Sequence, residues 1–167
     1  AWADQFTGWV IDYGCWPEQG MSYFTLRDIK KTMAKALPGA GIEAQIYHAL
    51  ESLSRSLMER AWLRDDGSTI GIQRMMIDAN WQQSKDVVHQ FCRGSQWRDR
   101  IMPAHGRYYG ASSVPLNQGD KKPGEIVGHN WKVPPLRTGY AVRHVLYDTN
   151  FWKSFVFTRL GMSIGDP

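Results

Sequence analysis

The chain has 167 residues, of which 43% are hydrophobic and 22% are charged. These proportions are typical of a folded globular protein and exclude a disordered or low-complexity chain. The formal net charge of +4 favours polyanionic partners.

The two cysteines, Cys15 and Cys92, are too few for a disulfide framework or a zinc site, which indicates a reducing compartment. No stretch approaches the roughly 20 apolar residues of a membrane span, so no membrane partner is expected. Because the sequence opens at Ala1 without a methionine, we expect residues 1–167 to form a single domain of a larger protein.

Residues 1–14 contain two short apolar runs separated by a polar segment with Gly8, a pattern that predicts a β-hairpin. Asp12 follows the second run and has two interpretations. It is either a catalytic carboxylate or a carboxylate that satisfies the turn at Tyr13 and Gly14. The preference of aspartate for turns favours the second interpretation.

Two helices are predicted next. Residues 25–28 form a capping-box pattern ahead of apolar residues at helical spacing, and this helix is expected to end at Pro38-Gly39. The second helix is predicted more strongly, because apolar residues recur every three or four positions from Ile42 to Ala61. An apolar stripe of this kind is almost always a core contact, so neither helix is assigned any chemistry.

The apolar run over residues 70–77 predicts a buried strand, because it is too short for three helical turns. The run ends at Asp78, and helical spacing resumes over residues 84–93. A carboxylate at the carboxyl end of a buried strand lies where open α/β sheets present their chemistry. Aspartate also caps helices frequently, so this segment alone leaves both interpretations of Asp78 open.

Residues 100–106 predict a further strand, in which Pro103 indicates an edge strand or an irregular end. Residues 107–128 are rich in glycine, proline and polar side chains and predict a long, poorly packed loop beside the acidic site. Basic side chains mixed with aromatic ones can hold a nucleic-acid backbone and stack on bases. A solvated loop with a few lysines is the commoner alternative. The predicted DNA-binding residues of the loop are Arg107, Tyr108, Tyr109, Lys121 and Lys122.

Residues 130–133 and 140–147 predict two paired strands across a Pro-Pro turn, and Asp148 and a helix follow the second strand. The arrangement of strand, aspartate and helix therefore occurs twice, at Asp78 and at Asp148. Two carboxylates at matching positions on neighbouring strands can share a cation. Mg²⁺ in particular takes one or two carboxylates and completes its shell with water and phosphate. A phosphate-binding Walker loop is absent from the sequence.

Three segments together resemble the nuclease region of the large terminase subunit of lambda-like tailed phages. They are residues 9–14 (Trp-Val-Ile-Asp-Tyr-Gly), 75–80 (Met-Met-Ile-Asp-Ala-Asn) and 145–149 (Val-Leu-Tyr-Asp-Thr), and residues 152–160 extend the match. The resemblance implies an α/β, RNase H-like fold of the RuvC and terminase nuclease type, with a mixed sheet flanked by helices. It also implies an endonuclease that cuts concatemeric viral DNA in the bacterial cytoplasm, encoded by a phage or prophage. An ATPase motor upstream, the small terminase subunit, the portal protein and double-stranded DNA are the implied partners.

The chemistry implied by the resemblance is phosphodiester hydrolysis assisted by two Mg²⁺ or Mn²⁺ ions. Asp78 and Asp148 match the aspartates of the family and are the predicted catalytic metal ligands, with Asp12 as a less favoured one. Lys153 matches a lysine of the family and is predicted to contact DNA, although a solvated helix lysine is an equal alternative. His105 is a candidate proton shuttle, although a lone histidine is more often a packing residue.

The chain departs from the family pattern in three places. The acidic residue that the family carries on its first strand has no counterpart before residues 1–2, Ala79-Asn80-Trp81 replaces a glycine-containing segment, and His105-Gly106 replaces Lys-Gly. We therefore expect that the first strand is missing, that Mn²⁺ binds weakly and that this chain alone cuts DNA poorly. Two alternatives remain: a non-catalytic DNA-binding or motor-docking module of the same fold, and a transposase- or resolvase-like nuclease.

Overall fold

The computed structural model describes residues 10–81, 85–110, 113–116, 118, 121–136 and 142–161. The chain divides into two compact units, residues 1–55 and 56–167, each of which is described by itself. The hairpin predicted over residues 1–14 lies mostly outside the described residues, and residues 10–14 form no regular secondary structure. The single domain over residues 1–167 stays a prediction.

The first unit contains helix α1, Met33–Ala36, and most of helix α2, Ile42–Met58. Helix α2 confirms the stronger of the two helix predictions, and Ile46 on its apolar stripe is buried. Its one described ion pair, Arg55 with Glu51 at 3.3 Å, joins two exposed side chains one turn apart. A pair of this kind stabilises a helix only slightly, so the apolar stripe is what holds α2 in place.

The helix predicted after residues 25–28 is wrong over most of its length. The backbone N–H and the hydroxyl of Thr25 both donate to Asp28 Oδ2 at 2.8 Å, which closes a turn instead of starting a helix. The Gln19 side chain then accepts the N–H groups of Lys30 and Lys31 at 3.1 and 3.2 Å. These backbone groups are consequently paired with a distant side chain, and the short helix α1 begins only after Thr32.

The second unit contains a small antiparallel pair, β1 and β2, and a five-stranded mixed sheet. In the large sheet the strand order is β3-β4-β7-β6-β5, with β3, β4 and β7 parallel and β5, β6 and β7 antiparallel. This arrangement confirms the predicted mixed α/β sheet. The strands are β1 Trp62–Leu63, β2 Thr69–Ile70, β3 Met75–Asp78, β4 Ile101–Arg107, β5 Ile126–Gly128, β6 Trp131–Val133 and β7 Val145–Asp148. Helix α3, Lys85–Gly94, connects β3 to β4, and helix α4, Thr149–Leu160, follows β7.

The core of the second unit forms around β4. Helix α3 packs against this strand, and its Val87, Val88 and Phe91 are buried at helical spacing. Burial also raises the pKa of the Cys92 thiol to about 12, so this cysteine is protonated and unreactive at neutral pH. A separate cluster of Ala104, Val133 and Val145 joins β4, β6 and β7.

The strand predicted over residues 70–77 is two strands in the structure. Ile70 pairs with Trp62 in the small sheet, and β3 starts only after an intervening segment. Within that segment the Arg100 guanidinium donates to the backbone carbonyl of Ile72. The carbonyl of Ile72 is therefore hydrogen-bonded to a side chain, whereas in a continuous strand it would be bonded to the backbone of a neighbouring strand.

The expectation that Pro103 marks an edge strand or an irregular end is wrong, because β4 lies between β3 and β7. Pro103 is fully buried and level with Ile77 of β3. Pairing with β7 begins only at Ala104. Pro103 therefore precedes the first hydrogen-bonded residue pair between β4 and β7. Because no bond to β7 is needed at this position, a proline without an N–H is tolerated in a central strand.

Two further expectations need correction. The last residues of the predicted loop form β5, and Leu116 within the loop is buried, so the described part of residues 107–128 is not uniformly loose. The strand predicted over residues 140–147 is shorter, because β7 begins at Val145, and Tyr140 lies outside the described residues. The pairing of β6 with β7 is confirmed.

The contact between Gly128 and Trp131 across β5 and β6 gives a stability prediction. A Cβ added at residue 128 would lie 2.1 Å from Trp131 Cε2, and Trp131 packs against the cluster of Ala104, Val133 and Val145. We expect Gly128→Ala to displace the indole and to lower the free energy of unfolding by about 1–3 kcal/mol, measured by urea titration. Gly71→Ala is the control, because its added Cβ has only an ordinary contact at 3.8 Å. An unfolding midpoint that is the same for both variants would contradict this packing.

Candidate active site

Three parallel strands end at one edge of the large sheet. Asp78 is the last residue of β3, Arg107 of β4 and Asp148 of β7. The structure therefore brings both predicted aspartates to the same edge. The expectation that they lie on neighbouring strands is wrong, because β4 lies between β3 and β7. Open α/β sheets bind ligands at the carboxyl ends of their strands, and we call this region the carboxyl edge.

The register of β4 staggers the two aspartates along the strands. Asp78 is level with Ala104, whereas Asp148 is level with Arg107. The two Cα atoms are offset by three residues of about 3.3 Å each along the strands and by two strand spacings of about 4.8 Å each across the sheet. Their separation is therefore about 14 Å. Since metal–oxygen bonds to Mg²⁺ are about 2.1 Å long, this stagger favours separate ions beside each aspartate over one shared ion.

Asp78 is exposed and lies beside a tyrosine. Its Oδ1 accepts the backbone N–H of Asn80 at 3.3 Å, which fixes the chain just after β3. Burial raises the pKa of Tyr147, and the nearby charge of Asp78 raises this pKa further. Tyr147 therefore keeps its proton at neutral pH and provides a hydroxyl donor at the carboxyl edge.

Gly106 makes room for two hydroxyl groups over the backbone of β4. A Cβ added at residue 106 would lie 2.6 Å from Thr149 Oγ1 and 2.9 Å from Tyr147 Oη. Any larger residue would push at least one of these side chains away. The two hydroxyls therefore lie over the strand that separates Asp78 from Asp148.

Asp148 caps helix α4. Its Oδ1 accepts the backbone N–H groups of Asn150 and Phe151 at 2.9 and 3.2 Å, which confirms that this aspartate is a helix cap. Both bonds use the same oxygen. Capping therefore uses only Oδ1. Because Oδ2 keeps its lone pairs, Asp148 can cap the helix and also bind an ion.

A chain of side-chain hydrogen bonds holds the turn after Asp78. Asn80 Nδ2 donates to the carbonyl of Gly106 at 2.8 Å, which turns Asn80 Oδ1 toward His105 Nδ1 at 3.2 Å. Because an amide oxygen only accepts, His105 Nδ1 is the donor and a neutral His105 has its lone pair on Nε2. His89 of α3 then donates to that nitrogen, with 3.0 Å between the two Nε2 atoms.

Both ring nitrogens of His105 are thus engaged by neighbouring side chains. His105 also alternates along β4 with Ala104 and Gly106, so its side chain leaves the sheet on the face opposite to theirs. The ring of His144 completes a cluster, with its centroid 5.3 Å from that of His105. This arrangement supports a positioning role, and the proton-shuttle role of His105 stays a prediction.

Asp12 lies in the first unit, where its Oδ1 accepts the N–H of the adjacent Tyr13 at 2.9 Å. This bond agrees with the turn interpretation, and its role as a metal ligand stays a prediction. Among the described residues, no group of three or more His, Cys, Asp or Glu side chains is arranged to hold a metal ion. The carboxyl edge accordingly offers two separate oxygen-donor positions, which suit Mg²⁺ with its retained waters better than a closed zinc site.

Comparison with known proteins decides the family. The family model described as the endonuclease domain of the terminase large subunit gpA matches residues 1–165 of the chain. The chain belongs to the gpA endonuclease family. This match confirms the resemblance found from the sequence motifs. No curated protein and no solved structure matches the chain.

Four of the predicted DNA contacts of this gpA endonuclease chain lie near the carboxyl edge. Arg107 is exposed beside Asp148, Tyr108 follows it with 78% of its surface exposed, and Lys153 is exposed on α4. The carbonyl of Tyr109 accepts the side-chain amide of Asn150 at 3.1 Å, which ties the start of the loop to α4. These four residues stay predicted DNA contacts, and the structure places all four near the carboxyl edge.

Lys121 and Lys122 are not brought to the carboxyl edge. They precede β5, and Ile126 at its start is level with Val133, near the amino end of β7. The N–H of Lys122 bonds to the buried Glu125, and this bond and the nearby Lys132 hold the pKa of Glu125 below its usual range. The backbone around Lys122 is therefore anchored to the sheet, and any DNA that these lysines contact lies away from the aspartates.

None of the helices in the described part of the gpA endonuclease chain is long and apolar enough to cross a membrane.

Sequence reasoning missed several residues that line or support the carboxyl edge. Tyr147 and Thr149 flank the predicted Asp148, so their positions were an available signal. Asn80 was noted only as a departure from the family pattern. His89 and His144 carried no signal of their own, because only tertiary contacts bring them to His105.

The two roles of Asp148 can be separated by substitution. Asn retains a side-chain oxygen that accepts from the helix N–H groups, whereas Ala removes it. We expect Asp148→Asn to leave the free energy of unfolding nearly unchanged and Asp148→Ala to lower it by about 1 kcal/mol, measured by urea titration. Equal stability of the Ala variant and the unsubstituted chain would contradict the capping geometry.

Proposed function

We propose that this chain is a Mg²⁺- or Mn²⁺-dependent endodeoxyribonuclease domain that cuts concatemeric viral DNA for packaging. The observation that carries the proposal is that Asp78 and Asp148 lie at one carboxyl edge in a chain of the gpA endonuclease family. The mixed sheet supports the further proposal of an RNase H-like fold. The family match favours this activity over that of a transposase or resolvase.

In this proposal Asp78 and Asp148 hold the metal ions. Their fit rests on the donor set, because carboxylate and hydroxyl oxygens are the ligands that Mg²⁺ prefers and two carboxylates leave room for phosphate. An ion held by either aspartate would activate water or polarise a phosphate oxygen. The hydroxyls of Tyr147 and Thr149, which both lie beside Gly106, would donate hydrogen bonds to a phosphate oxygen of the substrate.

The remaining side chains of the edge have supporting roles. The hydrogen bonds of Asn80 to Gly106 and His105 keep the turn after Asp78 in place before substrate arrives. Arg107 and Lys153 would bind backbone phosphates, and Tyr108 would stack on a base or pack against a sugar. An upstream ATPase motor, the small terminase subunit, the portal protein and the cytoplasm of the host belong to the same proposal.

A non-catalytic DNA-binding or motor-docking module is the second candidate. The observation in its favour is that Asp148 serves as a helix cap and that the described residues contain no cluster of three metal ligands. Two-ion catalysis normally uses a further acidic ligand. This candidate predicts DNA binding without cleavage under any metal condition.

Nicking of supercoiled plasmid with Mn²⁺ tests the proposal. We expect weak nicking by residues 1–167 and stronger nicking by a longer chain that includes the acidic strand implied by the family. Asp78→Asn and Asp148→Asn in the longer chain should each lower the rate by roughly 100-fold or more, because each removes a carboxylate that would hold a metal ion.

The matched control is Asp66→Asn, which removes an exposed carboxylate that bonds only to its neighbour Ser68 in the described structure. It should leave nicking unchanged. Full activity in both the Asp78 and Asp148 variants would disprove the site. A longer chain that binds DNA but never nicks it would favour the non-catalytic module.

A further inference from the structure

A second candidate site lies at the opposite edge of the same sheet. A cavity of about 430 Å³ opens where the parallel strands begin, so we call it the amino-edge cavity. Residues that precede β3, β4 and β7 line it, together with the end of α3. Its apolar lining includes the buried Cys92 and Ile101, and its charged residues are Arg74, Arg93, Arg98, Asp99 and Arg143.

The amino-edge cavity has a concentrated positive charge. Four exposed arginines and one aspartate give it a formal charge of +3. The Arg74 side chain donates to the backbone carbonyl of Asp99, a bond that leaves its charge in place. The ion pairs of Arg55 with Glu51 and of Lys132 with Glu125 involve no residue of this cavity.

Helix electrostatics explain only part of this cluster. Arg93 lies in the last turn of α3, where a cation is favoured by the helix dipole. Arg98 lies in the connection to β4, and Arg143 precedes β7, so neither belongs to that helix. Like charges gathered around one cavity repel each other, and an anion relieves that repulsion. Guanidinium groups bind phosphate oxygens in pairs, which makes phosphate the best-matched anion.

The lining suits a phosphate. The polar side chains of its described residues are mainly guanidinium groups, which bind the phosphate oxygens of a nucleic-acid backbone. Contacts of this type fix a nucleic acid in place without reading its sequence. The family of the chain acts as a DNA endonuclease, so the matching polyanion is the DNA backbone.

We propose that the amino-edge cavity binds a backbone phosphate of DNA remote from the position of cleavage. The seven residues of β4 span about 20 Å, so the cavity and the carboxyl edge lie about 20 Å apart along β4. The phosphate bound here is therefore not the one that is cut. The proposal rests on the DNA substrate of the family and not on the catalytic roles of Asp78 and Asp148.

Fluorescence anisotropy with a labelled DNA duplex in EDTA tests this site without any cleavage. We expect Arg93→Ala combined with Arg98→Ala to raise the Kd about tenfold and to reduce the slope of log Kd against log salt by about 1 to 2. The control combines Arg27→Ala with Arg64→Ala, which removes the same charge from exposed positions outside the cavity. The control should change the Kd less than about twofold. An equal loss in both double variants would overturn the proposal, because net charge alone would then explain binding.

Arg143→Glu provides an independent variant, since it alters a different segment of the same cavity. It should weaken duplex binding at least as much as the double variant, while circular dichroism and thermal unfolding confirm that each variant is folded. Inorganic pyrophosphate and a mononucleotide are tested by calorimetry. If these small anions bind with an affinity that depends on Arg93 and Arg98 while duplex affinity does not, the cavity is a nucleotide site and the proposal is wrong. Because all binding is measured in EDTA, loss of nicking by itself does not affect this test.

Discussion

The structure of the second unit depends on the parallel pairing of β4 with both β3 and β7. This pairing aligns the carboxyl ends of three strands at one edge and their amino ends at the other. It also sets the stagger that separates Asp78 from Asp148, because each aspartate is level with a different residue of β4. Parallel strands gain stability mainly from burial on both faces, which agrees with the buried Ile101, Pro103 and Ala104 along β4.

The turn after Asp78 shows how polar side chains replace a glycine-containing family segment. Asn80 bonds to Gly106 and to His105, and His105 bonds to His89. Each bond crosses from one element to another, so the turn is fixed by the sheet and α3 instead of by its own backbone. The two histidines are half-buried and Asn80 is exposed, and each of the three bonds joins a donor to an acceptor.

The two edges of the sheet differ in charge in a way that suits a DNA substrate. Carboxylates, hydroxyls and the two cations Arg107 and Lys153 lie near the carboxyl edge, whereas arginines predominate at the amino-edge cavity. The cavity attracts a polyanion more strongly than the carboxyl edge does, and this attraction weakens as the salt concentration rises. Under the two proposals, DNA binding and cleavage would depend on different residues at opposite ends of the same strands.

The sequence by itself determined the elements whose signals are local. Helix α2 and the short strand that ends at Asp78 follow from helical spacing and a short apolar run. The family motifs added a predicted location of the site. Only the tertiary structure decided the rest, because Gln19 prevents a helix near Lys30, Pro103 fits a central strand, and the register of β4 staggers the aspartates. These outcomes depend on partners distant in the sequence, and local periodicity contains no information about such partners.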